Sequence, residues 1–337
     1  DWRWEIDQQS PIADLASLTT VTDANLVLGR LDAAHFLGGA MTLDESAARV
    51  TLTALAHIMQ VSSPEEAAWG VIQVANANME RAIRRISVER GHDPRRFTLV
   101  AFGGAGPLHA CELAASLQIP RVLIPGVPGV LSALGMLAAA PARDYSQTVM
   151  AAWEDWESGA GEWLAARFAP LAARALAEMV AEGLGTMVGE ETAVTLQHSL
   201  DMRYVGQSHE LTVAVPDAMA DPMALFHAAH EARYGYRQAG AAVEIVTVRV
   251  TAVVPITPPQ LPATPPGAAD PAPAFLSRKT VWFGGQPQSA SLYDRDKLRP
   301  GHQFSGPAIV FQYDTTTVIP PGWETAVDAA GNLIATK

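Results

Sequence analysis

The segment Thr98–Cys111, T-L-V-A-F-G-G-A-G-P-L-H-A-C, constrains the fold more than any other stretch. Thr98–Phe102 reads as a short buried strand, Gly103, Gly104 and Gly106 as a tight turn, and Pro107 as the opening of a helix. Proline in the first helical turn sacrifices no hydrogen bond, because that N–H has no helical partner anyway. Glycines let the backbone bend sharply and let another group come close to it. A helix starting from such a turn points free N–H groups and the positive end of its dipole outward, which suits a phosphate or a carboxylate. The spacing is neither G-x-G-x-x-G nor G-x-x-x-x-G-K-[ST], so the dinucleotide and P-loop fingerprints do not apply. Strand, glycine turn and helix also form a common packing device of α/β layers, and both readings stand. His109, one turn into the helix, is a ligand near that opening or a structural histidine. Cys111, the single cysteine, reads as a small buried hydrophobe ahead of a nucleophile.

Helical patterns surround this segment. Thr22 or Asp23 caps a helix running to Leu28, with Gly29 as its stop. Asp23 in that place could equally hold a metal or orient water. Thr42–Met59 has helical spacing with Asp44–Glu45 in its first turn. Ser63-Pro64-Glu65-Glu66 is an N-cap, a proline at the first position and a capping-box acid. From there Ile72, Ala75, Met79, Ala82, Ile83 and Ile86 fall on one face, until Gly91. A helix follows over Cys111–Gln118 and a strand over Arg121–Pro125. This is the grammar of an α/β layer. Ser132 lacks a G-x-S-x-G elbow and reads as a helix cap.

The pattern changes near Pro141–Ser146. Trp153–Glu182 is Ala-rich and helical, Thr192–Tyr204 and Glu210–Val215 are strand-like, and Asp221–Tyr234 is a helix. His198, Asp201, His209 and Glu210 resemble a metal set, but strand alternation scatters them over two faces. His227, His230 and Glu231 spell H-x-x-H-E, which is no zinc-protease motif. Val243–Val254 is a β-branched strand. Pro255–Pro273 then holds eight prolines, a stiff linker or surface loop. Lys279–Lys337 alternates short strands with turns.

Composition excludes some functions. The 337 residues are 49% hydrophobic and 17% charged, so the chain is globular with a real core. A net charge of −12 argues against a nucleic-acid-binding surface. One cysteine excludes an internal disulfide and fits a reducing compartment. Val122–Ala142 carries no charge over 21 residues, but Pro125, Pro128 and Pro141 interrupt it, so no membrane span is expected. Asp1–Ser10 lacks the basic start and apolar run of a secretory leader. A cytoplasmic protein is the expectation.

Three segments carry a family resemblance: T-V-T-D-A-N-L-V-L-G-R-L at Thr20–Leu31, A-N-A-N-M-E-R-A-I-R-R-I-S-V-E-R-G-H-D-P at Ala75–Pro94, and A-F-G-G-A-G-P-L-H-A at Ala101–Ala110. So do D-M-R-Y-V-G-Q-S-H-E-L at Asp201–Leu211, R-Y-G-Y at Arg233–Tyr236, V-E-I-V-T-V-R-V at Val243–Val250, and the Y-D-R…G-P-A-I-V…D-T-T-T…P-P-G-W series of the tail. Together they resemble the hydantoinase A / 5-oxoprolinase family, from about Thr20 onward, with relatives among ketone carboxylase subunits.

The resemblance implies an α/β fold: part of an actin/sugar-kinase-like nucleotide-binding lobe, followed by an α+β and a β-rich region. The domains expected are 1–145 (lobe), 146–256 (α+β), 257–277 (Pro-rich linker) and 278–337 (small β-rich domain). It implies ATP and Mg as cofactors, with Gly103, Gly104, Ala105 and Gly106 contacting the adenosine end of the nucleotide. Asp23 and His109, placed in the two most family-like segments, become the candidate catalytic contacts to metal or phosphate. Family chains are about twice as long and carry D-x-G-G-T-type phosphate loops in an N-terminal lobe, which this sequence lacks. The chain therefore resembles the C-terminal half: a fragment, a split gene product or a decayed paralogue. The implied function is ATP-dependent opening of a cyclic amide through phosphorylation. The alternatives are a subunit of an acetone/acetophenone carboxylase-like complex acting on a ketone, or a non-catalytic interaction subunit. Implied partners are a hydantoinase B-type subunit or a separate N-terminal half. An isolated half should expose an apolar face where the other lobe docks.

Overall fold

The computed structural model describes residues 14, 18–152, 159–184, 194–216, 221–257 and 265–337. These divide into two compact units. One joins the described residues up to Gly135 with those from 265 to 337; the other lies between Met136 and residue 257. The first residues of the expected Trp153–Glu182 helix, the start of the Thr192 strand and the middle of the proline-rich stretch lie outside the described residues.

The first unit opens with helices α1 (Val21–Val27), α2 (Glu45–Met59) and α3 (Pro64–Ile86). Their starts show how local chemistry sets the boundaries. The N-cap of α1 is Thr20, and Asp23 is the third helical residue, closing a reciprocal capping box. The sequence reading had Thr22 or Asp23 as the cap itself. Asp44 caps α2 through Ala47 N at 3.0 Å. Ser63 caps α3 through Glu66 N at 3.1 Å. Glu66 reaches one residue farther back than a capping box requires, accepting from Ser62 N and Oγ at 2.9 and 2.7 Å.

Strand β1 (Thr98–Val100) runs into the glycine turn and helix α4 (Gly106–Ser116), and β2 (Arg121–Ile124) returns parallel to β1. A short helix α5 (Leu131–Ala138) follows.

The second unit is an antiparallel sheet of β3 (Ala142–Ala152), β4 (Thr195–Tyr204), β5 (Leu211–Val215) and β6 (Val243–Val253), in the order β3-β6-β4-β5. Helices α6 (Ala160–Ala181) and α7 (Pro222–Tyr234) bury Leu164, Phe168 and Phe226 against it. The four polar residues resembling a metal set are dispersed as strand alternation predicts. Asp201 is taken by Arg249 at 2.7 Å and Thr212 at 2.7 Å, and His198 lies against the Phe168 ring.

The tail supplies β7 (Phe275–Phe283), β8 (Gln286–Asp294), β9 (Gln303–Ser305), β10 (Ala308–Phe311), β11 (Thr316–Ile319), β12 (Glu324–Val327) and β13 (Leu333–Thr336). It belongs to the same unit as the glycine turn. β13 pairs antiparallel with β2, giving a five-stranded sheet β1-β2-β13-β12-β9. A second sheet, β11-β10-β8-β7, packs on the helical layer: Val281, Leu292, Ile309 and Val318 share a core with Ala24, Leu52 and Ile72. The five-stranded sheet packs on α4 through Val122, Ile124, Ala114 and Trp323. No described helix is long and apolar enough to cross a membrane.

Candidate functional site

Parallel strands β1 and β2 set the glycine turn at the carboxyl end of β1, where open α/β sheets place ligands. Gly103 takes φ +81°, a conformation that disfavours any side chain. Its N–H donates to Pro128 O at 2.8 Å. Gly104 O accepts from Thr315 Oγ at 2.8 Å. Gly104 and Ala105 are exposed. Ala105 is the N-cap of α4 and no side chain caps that helix. Pro107 has no N–H and Leu108 N donates to Ala105 O at 3.1 Å, so what this helix start offers an incoming anion is the backbone of the turn itself and the positive end of the dipole.

Two loops buttress the turn. Gln312 Nε2 donates to Gly126 O at 2.8 Å. The Asp314 carboxylate lies against Gly129, where an added Cβ would sit 2.3 Å from Oδ2. Asp314 Oδ1 is buried with no hydrogen-bond partner among the described residues. These contacts cross about two hundred residues of chain and give the turn a fixed base.

His109 points inward. It is 4% exposed, and its Nδ1 lies 2.8 Å from Asn76 Oδ1. Asn76 donates its amide to Glu112 at 2.8 Å, so its oxygen faces His109 and Nδ1 carries the proton. Glu112 pairs with Arg30 at 2.6 Å. Arg30 is fully buried, donates to Trp282 O at 3.3 Å and sits between the Trp69 and Phe283 rings. Burial lowers the His109 pKa; the nearby Arg30 charge pushes the same way and Glu112 opposes it. A neutral imidazole results.

Asp23 is occupied elsewhere. Its carboxylate accepts from Thr20 N at 2.8 Å and Thr20 Oγ at 2.7 Å. No hydrogen bond joins Asp23 to His109 or to the turn among the described residues. The structure thus gathers Gly103–Gly106 with Thr315 and Asp314, and His109 with Asn76, Glu112 and Arg30, in two separate constellations. Sequence reasoning missed Arg30, Asn76, Glu112, Asp314 and Thr315. Arg30, Asn76, Asp314 and Thr315 lie inside the family-like segments, the last two opening D-T-T-T, and that was the one signal that pointed to them. Among the described residues, no three of His, Cys, Asp and Glu gather as metal ligands. Cys111 is buried and its thiol is pushed far above the ordinary range by burial.

A third feature is apolar. Val21, Leu55, Ile58, Met59, Val71 and Val74 line a groove of about 590 Å³ between α2 and α3. Val74 is 57% exposed and Met59 42%.

Comparison with known proteins places the chain as a whole. The hydantoinase/oxoprolinase family model matches residues 14–145, and the model of the hydantoinase/oxoprolinase C-terminal domain matches residues 151–334. An uncharacterized protein of Methanocaldococcus jannaschii is 37% identical over 93% of this chain and 44% of its own length. The caprolactamase subunit alpha of Pseudomonas jessenii is 32% identical over 92% of this chain and 45% of its own. Among solved structures, a nucleotide-free acetone carboxylase superposes with a TM-score of 0.77 at 28% identity, covering 94% of this chain and 46% of that one. The ATP-dependent caprolactamase of Pseudomonas jessenii superposes with a TM-score of 0.75 at 29% identity, with the same coverage. The chain spans less than half the length of these relatives. It belongs to the hydantoinase/oxoprolinase family.

Proposed function

We propose that this chain forms the nucleotide-facing half of an ATP-dependent enzyme that opens a cyclic amide. The observation that carries the reading is the uncapped glycine turn Gly103–Gly106 at the start of α4, exposed at Gly104 and Ala105. Its geometry suits an anionic or polar ligand approaching the backbone, and the likeness to an ATP-dependent caprolactamase supports ATP as that ligand. An amide carbonyl is a poor electrophile. Transfer of a phosphoryl group from ATP to the amide oxygen would give an imidate phosphate. Water adds to its carbon, the protonated ring nitrogen leaves to give an acyl phosphate, and a second water releases phosphate and the free carboxylate.

Mg fits this reading as an ion carried by the nucleotide phosphates, which needs only one or two protein carboxylates and no dedicated cage. In this assignment Asp23 and His109 are the polar contacts to phosphate or metal, a role that rests on the family resemblance. The chain works within a hetero-oligomer. Several relatives bear subunit names, including caprolactamase alpha and acetone carboxylase beta. The groove between α2 and α3 receives the half that the relatives carry in addition.

The second reading, phosphorylation and carboxylation of a ketone, is favoured by the likeness to acetone carboxylase. One experiment separates the two. The protein is isolated with its native partners and given ATP with either cyclic amides or a ketone plus labelled bicarbonate. Amide-dependent ATP hydrolysis without label fixation supports the first reading; label fixation replaces it with the second. In the same assembly, Gly104→Val is expected to weaken nucleotide binding at least tenfold. An added Cβ at Gly104 meets only ordinary contact, with Asp314 O at 3.5 Å, and an unchanged thermal midpoint checks that the γ-methyls are accommodated as well. Unchanged nucleotide affinity in that variant would overturn the site. Asp23→Asn and His109→Ala with undiminished substrate-dependent ATPase would remove those two residues from catalysis.

A further inference from the structure

The negative charge of this protein is not evenly spread. Six arginines, Arg81, Arg84, Arg85, Arg90, Arg95 and Arg96, fall within sixteen residues of a chain whose net charge is −12. Two are neutralised locally. Arg84 holds Glu80 at 2.7 Å, and Arg95 grips both oxygens of Asp93 at 2.9 Å. Arg96, next in sequence, enters no ion pair among the described residues, and neither does Arg121.

These two unpaired guanidinium groups border one cavity of about 360 Å³ at the amino ends of β1 and β2. Arg96, Phe97, Thr98, Arg121, Thr336 and Lys337 line it. The sheet explains the grouping. Arg121 opens β2, and its register partners are Thr98 on β1 and Thr336 on β13. Residues directly opposite across strands share a face. Arg121 is therefore flanked on both sides by a threonine, a row of hydroxyl, guanidinium and hydroxyl across the lip of the sheet. All three are exposed. Phe97 is 52% exposed and supplies an apolar edge.

We propose that this cavity binds the phosphate of a small phosphorylated molecule. Arg95 also lines the cavity and already holds the Asp93 carboxylate, which forms no ion pair with Arg96 or Arg121 among the described residues; a bound anion relieves the repulsion among these cations. Guanidinium groups match phosphate oxygens with paired N–H donors. Two guanidinium groups with two hydroxyls offer more donors than one carboxylate can accept, whereas a phosphate presents three acceptor oxygens and close to two charges. The exposed Phe97 ring adds contact for an apolar or planar body of the ligand. The site is distinct from the glycine turn. β1 separates them, and a three-residue strand spans about 10 Å. The inference is independent of the nucleotide reading above.

The test is calorimetric titration of the full chain with pyrophosphate and with phenyl phosphate at low ionic strength, where contacts between exposed charges are least screened. One site per chain that Arg121→Gln weakens is expected, apart from any anion held at the glycine turn. Arg121→Gln and Arg96→Gln should each weaken pyrophosphate binding about tenfold, the scale of one charge-assisted contact worth about 1.4 kcal/mol. Both positions are open to solvent, so thermal stability should stay unchanged. Arg121→Lys should recover part of the loss, and Phe97→Ala should weaken phenyl phosphate more than pyrophosphate. Arg85→Gln, a cation outside the cavity, and Gly104→Val should leave both affinities as they are. The proposal fails if neither probe binds, or if Arg85→Gln matters as much as Arg121→Gln, since the effect is then diffuse charge. Loss of binding in Gly104→Val would assign the probe to the glycine turn and also overturn it. Binding of a poly-glutamate peptide in place of both probes would make the cavity a protein contact and replace the proposal.

Discussion

The carboxylate of Asp314 lies in the space that a side chain on Gly129 would need. A Cβ there would sit 2.3 Å from Oδ2 and 2.6 Å from the carboxyl carbon. The next residue, Thr315, holds Gly104 O, so the clash is wired to the glycine turn. Gly129→Ala should displace the loop at Asp314 and destabilise the protein by about 1–3 kcal/mol, the usual scale of overpacking. Asp314→Gly, which also removes the Cβ that would sit 2.7 Å away, should remove most of that penalty. A double-mutant cycle in urea checks it; additive losses would show that the two residues do not collide.

Arg30 and Glu112 form a buried pair whose members differ in what their removal does. Glu112→Ala leaves the fully buried Arg30 without its counter-charge and should cost about 3–5 kcal/mol. Replacing both, as Arg30→Met with Glu112→Leu, should cost much less, because no uncompensated charge remains. Denaturant midpoints of the single and double variants give the comparison.

His109 makes stability depend on pH. Its folded pKa lies below the ordinary value of 6.5, chiefly through burial. As pH falls below that value, the unfolded chain takes up a proton that the folded chain resists. Stability therefore declines with falling pH, and the contribution is gone below the folded pKa. His109→Gln should narrow the difference in urea midpoint between pH 7.5 and pH 5.5. His198 is also lowered by burial, but it is present in both proteins and cancels.

Cys111 should behave as an inert core residue. It is 2% exposed and its thiol is held protonated by burial, with the nearby Glu112 charge acting in the same direction. A disulfide reagent should label no thiol in the native protein and one per chain in denaturant. Rapid native labelling would show that the helix carrying it opens readily.

Val74 tests the apolar groove. It is 57% exposed, so Val74→Glu should leave the thermal midpoint within a degree or two. It should release the chain from its native partners in size-exclusion chromatography. Retention of the complex would place the partner elsewhere.

Short-range features of this fold were open to reading in the sequence. Pro107, Pro64 and Gly103 mark their elements because their backbone preferences act within a few residues. The strands of the tail were visible for the same reason, as turns recur between them. What could not be read was pairing at a distance. Nothing in L-I-A-T at Leu333–Thr336 says that it lies beside Arg121–Ile124. The site divides along the same line. The glycine turn was legible, being local, whereas Asp314, Thr315, Asn76 and Arg30 join their constellations only through tertiary packing. Asp23 and His109 looked alike in sequence as polar residues in family-like segments. The capping chemistry around Asp23 was legible, being local, whereas the burial of His109 against Asn76 was not.

The antiparallel pairing of β13 with β2 also sets an order of events during synthesis. Asn332, beside that strand, bonds Gly126 from 206 residues away. The unit between Met136 and residue 257 is continuous and can complete its sheet as it leaves the ribosome. The glycine turn cannot rest on its finished sheet until the tail has emerged. Until then β2 offers an unpaired edge to its surroundings, the state in which strands find wrong partners. A nascent chain stalled before residue 333 should therefore depend on chaperones far more than one in which Leu333–Thr336 has emerged.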